Sequence, residues 1–133
     1  MYCKRDAMKS AALAVLGLSA LLFSPPGYVH HSGAMFDLTK QVTISGIVRD
    51  FSWSNPHASF KVAVVDASGA SQLWAVEMNS PNNLVREGWK RTMIKPGDKV
   101  TVTLRPLRDG AAGGQYVSIV LADGKTLGGE QQR

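Results

Sequence analysis

Five stretches of this chain alternate apolar and polar side chains with a period of two, and that rhythm breaks once, between the third stretch and the fourth. Alternation of this kind marks strands with one buried face. In the first stretch Val42, Ile44, Gly46 and Val48 share a face, with Thr43, Ser45 and Arg49 on the other. The phase then slips, because Phe51 and Trp53 are the next bulky pair; a slip beside a glycine predicts a bulge or sharp bend. The second strand carries Phe60, Val62 and Val64 and ends at Asp66-Ala67-Ser68-Gly69. The third sets Trp74, Val76 and Met78 against Leu73, Ala75 and Glu77. The fourth sets Val100, Val102 and Leu104 against Lys99, Thr101, Thr103 and Arg105, and in the fifth Val117, Ile119 and Leu121 are in phase.

Where the period changes, Ser80 is placed to cap a helix that starts at Pro81 and closes at Gly88 after about two turns. Trp89 is expected to staple that helix to the strands, and Lys95-Pro96-Gly97-Asp98 to turn tightly into strand four. Leu107 to Gly114 read as a Gly/Ala-rich hairpin loop. Three strands, a helix and two strands predict an all-β fold, a five-stranded OB-like Greek-key barrel with one short helix between strands 3 and 4. A plain β-sandwich is the rival.

Ahead of the strands lies a different kind of sequence. Residues 11–23 are thirteen apolar or small residues behind Lys4, Arg5 and Lys9, and Pro25-Pro26-Gly27 follows. A spanning helix needs roughly twenty such residues, so the run reads as the helical core of a signal peptide, and Met8 is an alternative start. The expected organisation is a signal peptide over 1–29, the barrel over 30–127 and a disordered tail over 128–133. The expected location is the periplasm, with membrane attachment only through an uncleaved leader. Cys3, the single cysteine, falls in the leader, so the domain is expected to rely on its core without a disulfide. The formal charge of the whole chain is +5; from His30 onward twelve Lys/Arg stand against nine Asp/Glu, leaving +3. That mild balance is not the charge of a dedicated nucleic-acid binder.

Phe51, Trp53 and the segment Ser54-Asn55-Pro56-His57 form the densest local cluster. A structured turn with its aromatics in the core explains it; so does a pocket rim with Trp53 as a stacking surface and Asn55 and His57 as polar contacts. Met35 and Asp37, on a segment folded nearby, complete that candidate ligand site. His30, His31 and His57 are the candidate metal ligands, for copper, since an N-terminal amine beside imidazoles chelates Cu(II); no cofactor is firmly indicated. Glu77 is expected to find Arg86 or Arg91 as an ion-pair partner. Arg49, Lys61, Trp74 and Arg105 are the residues an OB-type face would use on single-stranded nucleic acid. Gly-x-Ser-x-Gly, HExxH and phosphate-loop patterns do not occur in the sequence, and the chain is expected to be non-enzymatic.

His30-His31-Ser32, Ala34-Met35-Phe36-Asp37, Gly46-Ile47-Val48, Phe51 to His57, Trp74 to Met78, Gly88-Trp89, Lys95 to Val100, Leu107 to Gly110 and Asp123-Gly124 together resemble DUF6152. It is a family of small exported bacterial proteins of unknown function. The resemblance spans residues 30 to 127. It implies a signal peptide, a small β-barrel-like domain and no established activity, and it includes both the histidine pair and the Asn-Pro-His segment. The expected partner is an unidentified small ligand or periplasmic protein.

Overall fold

The computed structural model describes residues 34–129. The signal-peptide assignment, Cys3, His30, His31 and the last four residues of the expected tail lie outside them. The elements run β1 (Val42–Ser52), β2 (Ser59–Val65), β3 (Ser71–Glu77), α1 (Pro81–Arg86), β4 (Lys99–Pro106), β5 (Gly113–Val120) and β6 (Thr126–Gly128). Neighbouring strands follow the order β3-β2-β1-β4-β5-β6, and β3 also pairs with β5. That last pairing closes β1-β2-β3-β5-β4 into a five-stranded barrel of the OB type. The sandwich alternative is excluded by it.

β1 is long because it serves two partners. Val42 to Ile47 pair with β4, and Ile47 to Ser52 pair with β2. The predicted slip is a bulge at Arg49: Val48 faces Val62, Asp50 faces Lys61, and the register shifts between them. The extra residue lets Val48 and Phe51 both turn inward. Gly46 is required at the crossover, since a Cβ there would overlap the Ala63 carbonyl oxygen and the Val62 side chain. The turn before β4 is stitched to the bulge, with the Gly97 N–H donating to the Val48 carbonyl and the Val48 N–H to the Asp98 carbonyl.

The core holds Val48, Phe60, Val62, Val76, Leu84, Trp89, Val102, Leu104 and Ile119, all essentially sealed from solvent. Complete burial of such side chains contributes about 1.5–3 kcal/mol each. The helix carries Leu84 into this core and ends in a Schellman motif. Gly88, at φ +90°, donates to Val85, and Trp89 donates to Leu84. The buried pair Leu84 and Trp89 supplies the apolar contact that accompanies such an ending. Ser80 holds the N-cap position without a side-chain bond. Asn79 braces this end of the helix instead, accepting from the Ser80 N–H at 2.8 Å and from the Asn83 side chain at 3.0 Å, without capping a helical N–H.

Three expectations are corrected. Gly113 and Gly114 belong to β5, where they pair in parallel with Ala75 and Val76 and close the barrel. A Cβ on Gly113 would press on the Ala75 carbonyl, and one on Gly114 would overlap the Arg105 carbonyl oxygen. They are glycines for closeness of approach, and the hairpin loop is correspondingly shorter. Second, β5 bulges at Val117, because Leu104 faces Tyr116 while Thr103 faces Ser118; Tyr116, rather than Val117, is in phase with the core. Third, the expected tail begins inside β6: Gly128 is its last residue, and the Gly129 N–H donates to the Val117 carbonyl at 2.9 Å. Among the described residues no helix is long and apolar enough to cross a membrane.

Candidate functional site

One edge of β5 serves two strands in turn. Gly113 to Gln115 pair with the end of β3, and Ser118 to Val120 pair with β6. A cleft of about 540 Å³ opens beside the changeover, walled by the ends of β3 and β6, the end of α1 and His57. Its floor follows from register. Glu77 on β3 lies directly opposite Gln115 on β5, and Gln115 directly opposite Arg105 on β4. Directly paired residues share a face of the pleat. Val76 and Leu104, the neighbours of this row, point inward and are buried, so Glu77, Gln115 and Arg105 form a polar row on the outer surface. Arg86 and Glu87, from the end of the helix, overlook it. Gly128 and Gly129 make the wall on the β6 side without side chains, at φ +73° and +92°.

His57 reaches the rim because the β1–β2 loop is zipped to the end of β3. The Ala58 N–H donates to the Asn79 carbonyl, and the Met78 N–H to the Ala58 carbonyl. His57 Nδ1 then lies 3.2 Å from the Met78 carbonyl oxygen, to which it donates, and 4.0 Å from Glu77 Oε1. Glu77 therefore has His57 as its near neighbour, and neither Arg86 nor Arg91 pairs with it among the described residues. Glu87 accepts from Asn79 Nδ2 at 3.2 Å.

The guanidinium groups are the unsettled part of the cleft. Arg105 Nε is sealed from solvent with no hydrogen-bond partner. Among the described residues the ion pairs are Lys40–Asp37, His57–Glu77 and Lys95–Asp98; neither Arg105 nor Arg86 takes part in one. Behind the row, Tyr116 points inward, its hydroxyl donating to the Leu127 carbonyl at 2.8 Å and accepting from Trp89 Nε1 at 3.3 Å. Burial pushes this phenol up to about 12.

The residues expected to form a ligand site separate into two groups. Trp53 is half-buried, packed on the core and edge-on to Phe51 with ring centroids 5.8 Å apart. Asn55 is exposed, and of the loop trio only His57 lines the cleft. Met35 and Asp37 are fastened elsewhere, on the end of β4. The Arg108 N–H donates to the Met35 carbonyl, the Asp37 N–H to the Pro106 carbonyl, and Phe36 bridges to Leu107. The Asp37 carboxylate caps its own turn. Bonds from the Thr39 hydroxyl and N–H, with Lys40 beside it, hold it down at about 2.

His30 and His31 are not placed, and among the described residues no three His, Cys, Asp or Glu side chains gather as a metal site would need. The expected nucleic-acid face is divided as well. Trp74 pairs with Val62 and packs on the core, whereas Lys61 pairs with Asp50 and Ala75 on the exposed face. Gln115 escaped the sequence reading, and Arg86 entered it only as an expected ion-pair partner of Glu77, not as a residue of a cleft. Gln115 carries no pattern of its own, and Arg86 joins the cleft only through the helix docking.

Residues 20–116 match the Family of unknown function DUF6152. No curated protein matches. Among solved structures, two crystal structures of mitochondrial single-stranded DNA binding proteins from S. cerevisiae, Rim1, are similar. One has a TM-score of 0.48 and 12% identity, covering 62% of this chain and 93% of that one. The other has a TM-score of 0.46 and 15% identity, covering 62% and 94%.

Proposed function

The chain belongs to DUF6152, a family of unknown function, and from that premise, which carries no activity with it, we propose a non-enzymatic, exported binding domain that holds a small anionic ligand in the cleft beside β5. The observation that carries the reading is Arg105 Nε, a charged donor removed from water and left without an acceptor. Leaving such a group unsatisfied costs free energy that an acceptor recovers. A guanidinium fork matches the two oxygens of a carboxylate, and Arg86 adds a second positive charge at the same opening. The volume of about 540 Å³ lies in the range of small-molecule sites. Export rests on the leader-like residues 1–29.

Calorimetric titration of the purified protein with acetate, succinate and glutarate tests the anion site. Saturable binding of at least one is expected, weakened tenfold or more in Arg105→Gln. Arg105→Lys, which keeps the charge and loses the fork, is expected to fall between. Melting curves establish that the variants are folded. If all three anions fail to bind, or bind Arg105→Gln as well as the wild type, the reading is wrong.

A further inference from the structure

We propose that the ligand of this cleft is a short zwitterionic peptide, its carboxylate on Arg105 and its ammonium on Glu77. The inference rests on the anion reading above and goes beyond it by adding a cation subsite. Arg105 and Glu77 both stand directly opposite Gln115, on its two sides and on one face of the sheet. With neighbouring strands about 4.8 Å apart, their backbones are separated by roughly 10 Å. Opposite charges that share a cleft usually pair with each other. Here they do not: the near neighbour of Glu77 is His57, at 4.0 Å, and no lysine or arginine lies within ion-pairing distance of Glu77 among the described residues.

The His57 Nδ1–H is committed to the Met78 carbonyl at 3.2 Å and stands 4.0 Å from Glu77 Oε1, so Glu77 receives no hydrogen bond from it. The Glu77 side chain is one-third exposed and open to a ligand. Between the two charges Gln115 offers an amide that both donates and accepts, as a peptide group requires.

Charge balance favours the same ligand class. The cleft presents Arg86 and Arg105 against Glu77 and Glu87. A simple anion gains at Arg105 and is opposed by the two carboxylates. A molecule with a charge of each sign at its two ends gains at both. An extended dipeptide spans about 7 Å, a length suited to two long side chains reaching inward from backbones roughly 10 Å apart. Gly128 and Gly129 leave the β6 wall free of side chains along this path.

The test is calorimetric titration of the full chain with diglycine, N-acetyl-diglycine, which lacks the ammonium, and diglycine amide, which lacks the carboxylate. Diglycine is expected to bind at least tenfold more tightly than either. In Glu77→Gln the advantage of diglycine over N-acetyl-diglycine is expected to vanish, while N-acetyl-diglycine binds within twofold of its wild-type affinity. If N-acetyl-diglycine binds the wild type as tightly as diglycine, the zwitterion inference falls and the anion site stands. If none of the carboxylates binds, both fall. The wild-type comparison decides the matter even if the Glu77 variant does not fold.

Discussion

The Tyr116 hydroxyl joins three parts of the chain, accepting a hydrogen bond from the helix-end Trp89 and donating one to the Leu127 carbonyl of β6. In Tyr116→Phe the Trp89 Nε1–H, on a side chain only 1% exposed, loses its acceptor. The expected loss is about 1–3 kcal/mol of stability, read from urea denaturation. The same phenol predicts a pH dependence. Its pKa is raised from 10.0 to about 12 in the fold, so the folded chain keeps the proton where the unfolded chain releases it. The associated stability is complete below pH 10 and is lost as pH rises toward about 12. Melting temperatures are expected to fall across that window in the wild type and to fall less steeply in Tyr116→Phe. Alternation alone hid this residue, since a bulge at Val117 inverts the phase and nothing local in Gln-Tyr-Val-Ser announces one. Glu77 and His57 were legible as chemistry-bearing, but the partner of Glu77 was not. That choice is made by the Ala58–Asn79 and Met78–Ala58 bonds, contacts between segments twenty residues apart.

Among the elements, the seam glycine Gly114 and the helix-end glycine Gly88 fail differently when replaced. Gly114→Ala would set a Cβ against the Arg105 carbonyl oxygen and the Leu104 side chain, where backbone must yield. Overpacking of this kind costs about 1–3 kcal/mol, occasionally more. Gly88 has open space around its Cβ position and a φ of +90°, so Gly88→Ala costs only its left-handed backbone, about 1–2 kcal/mol. Urea midpoints are expected to rank wild type above Gly88→Ala above Gly114→Ala. A Gly114→Ala protein as stable as Gly88→Ala would show that the seam can widen without loss. Strand identities, the Arg49 slip and the helix with its Pro start and Gly stop were readable, because each is written in neighbouring residues. β6 was not. Three residues are too short to display a period, and their pairing depends on where β5 parts from β3.

For the molecule as a whole, the order of elements sufficed for the OB-type barrel, since a helix between the third and fourth strands leaves few ways of closing five. The cleft was out of reach, being assembled from β3, β4, β5, β6, the helix and the first loop. Export makes a prediction at this scale. Expressed with its leader in a Gram-negative host, the domain is expected in the osmotic-shock fraction, trimmed near His30, and to melt at one temperature with and without reductant. Recovery of the untrimmed chain with Cys3 from the cytosol would remove the export proposal.

Only three residue pairs hold β3 to β5, Ala75–Gly113, Val76–Gly114 and Glu77–Gln115, and two of the six residues are glycines. The ring is fastened by a short clasp, and the clasp forms part of the floor of the cleft. A ligand gripping Arg105 and Glu77 together, as proposed, would lie across that clasp and latch it, so that occupancy would reinforce the closure of the ring.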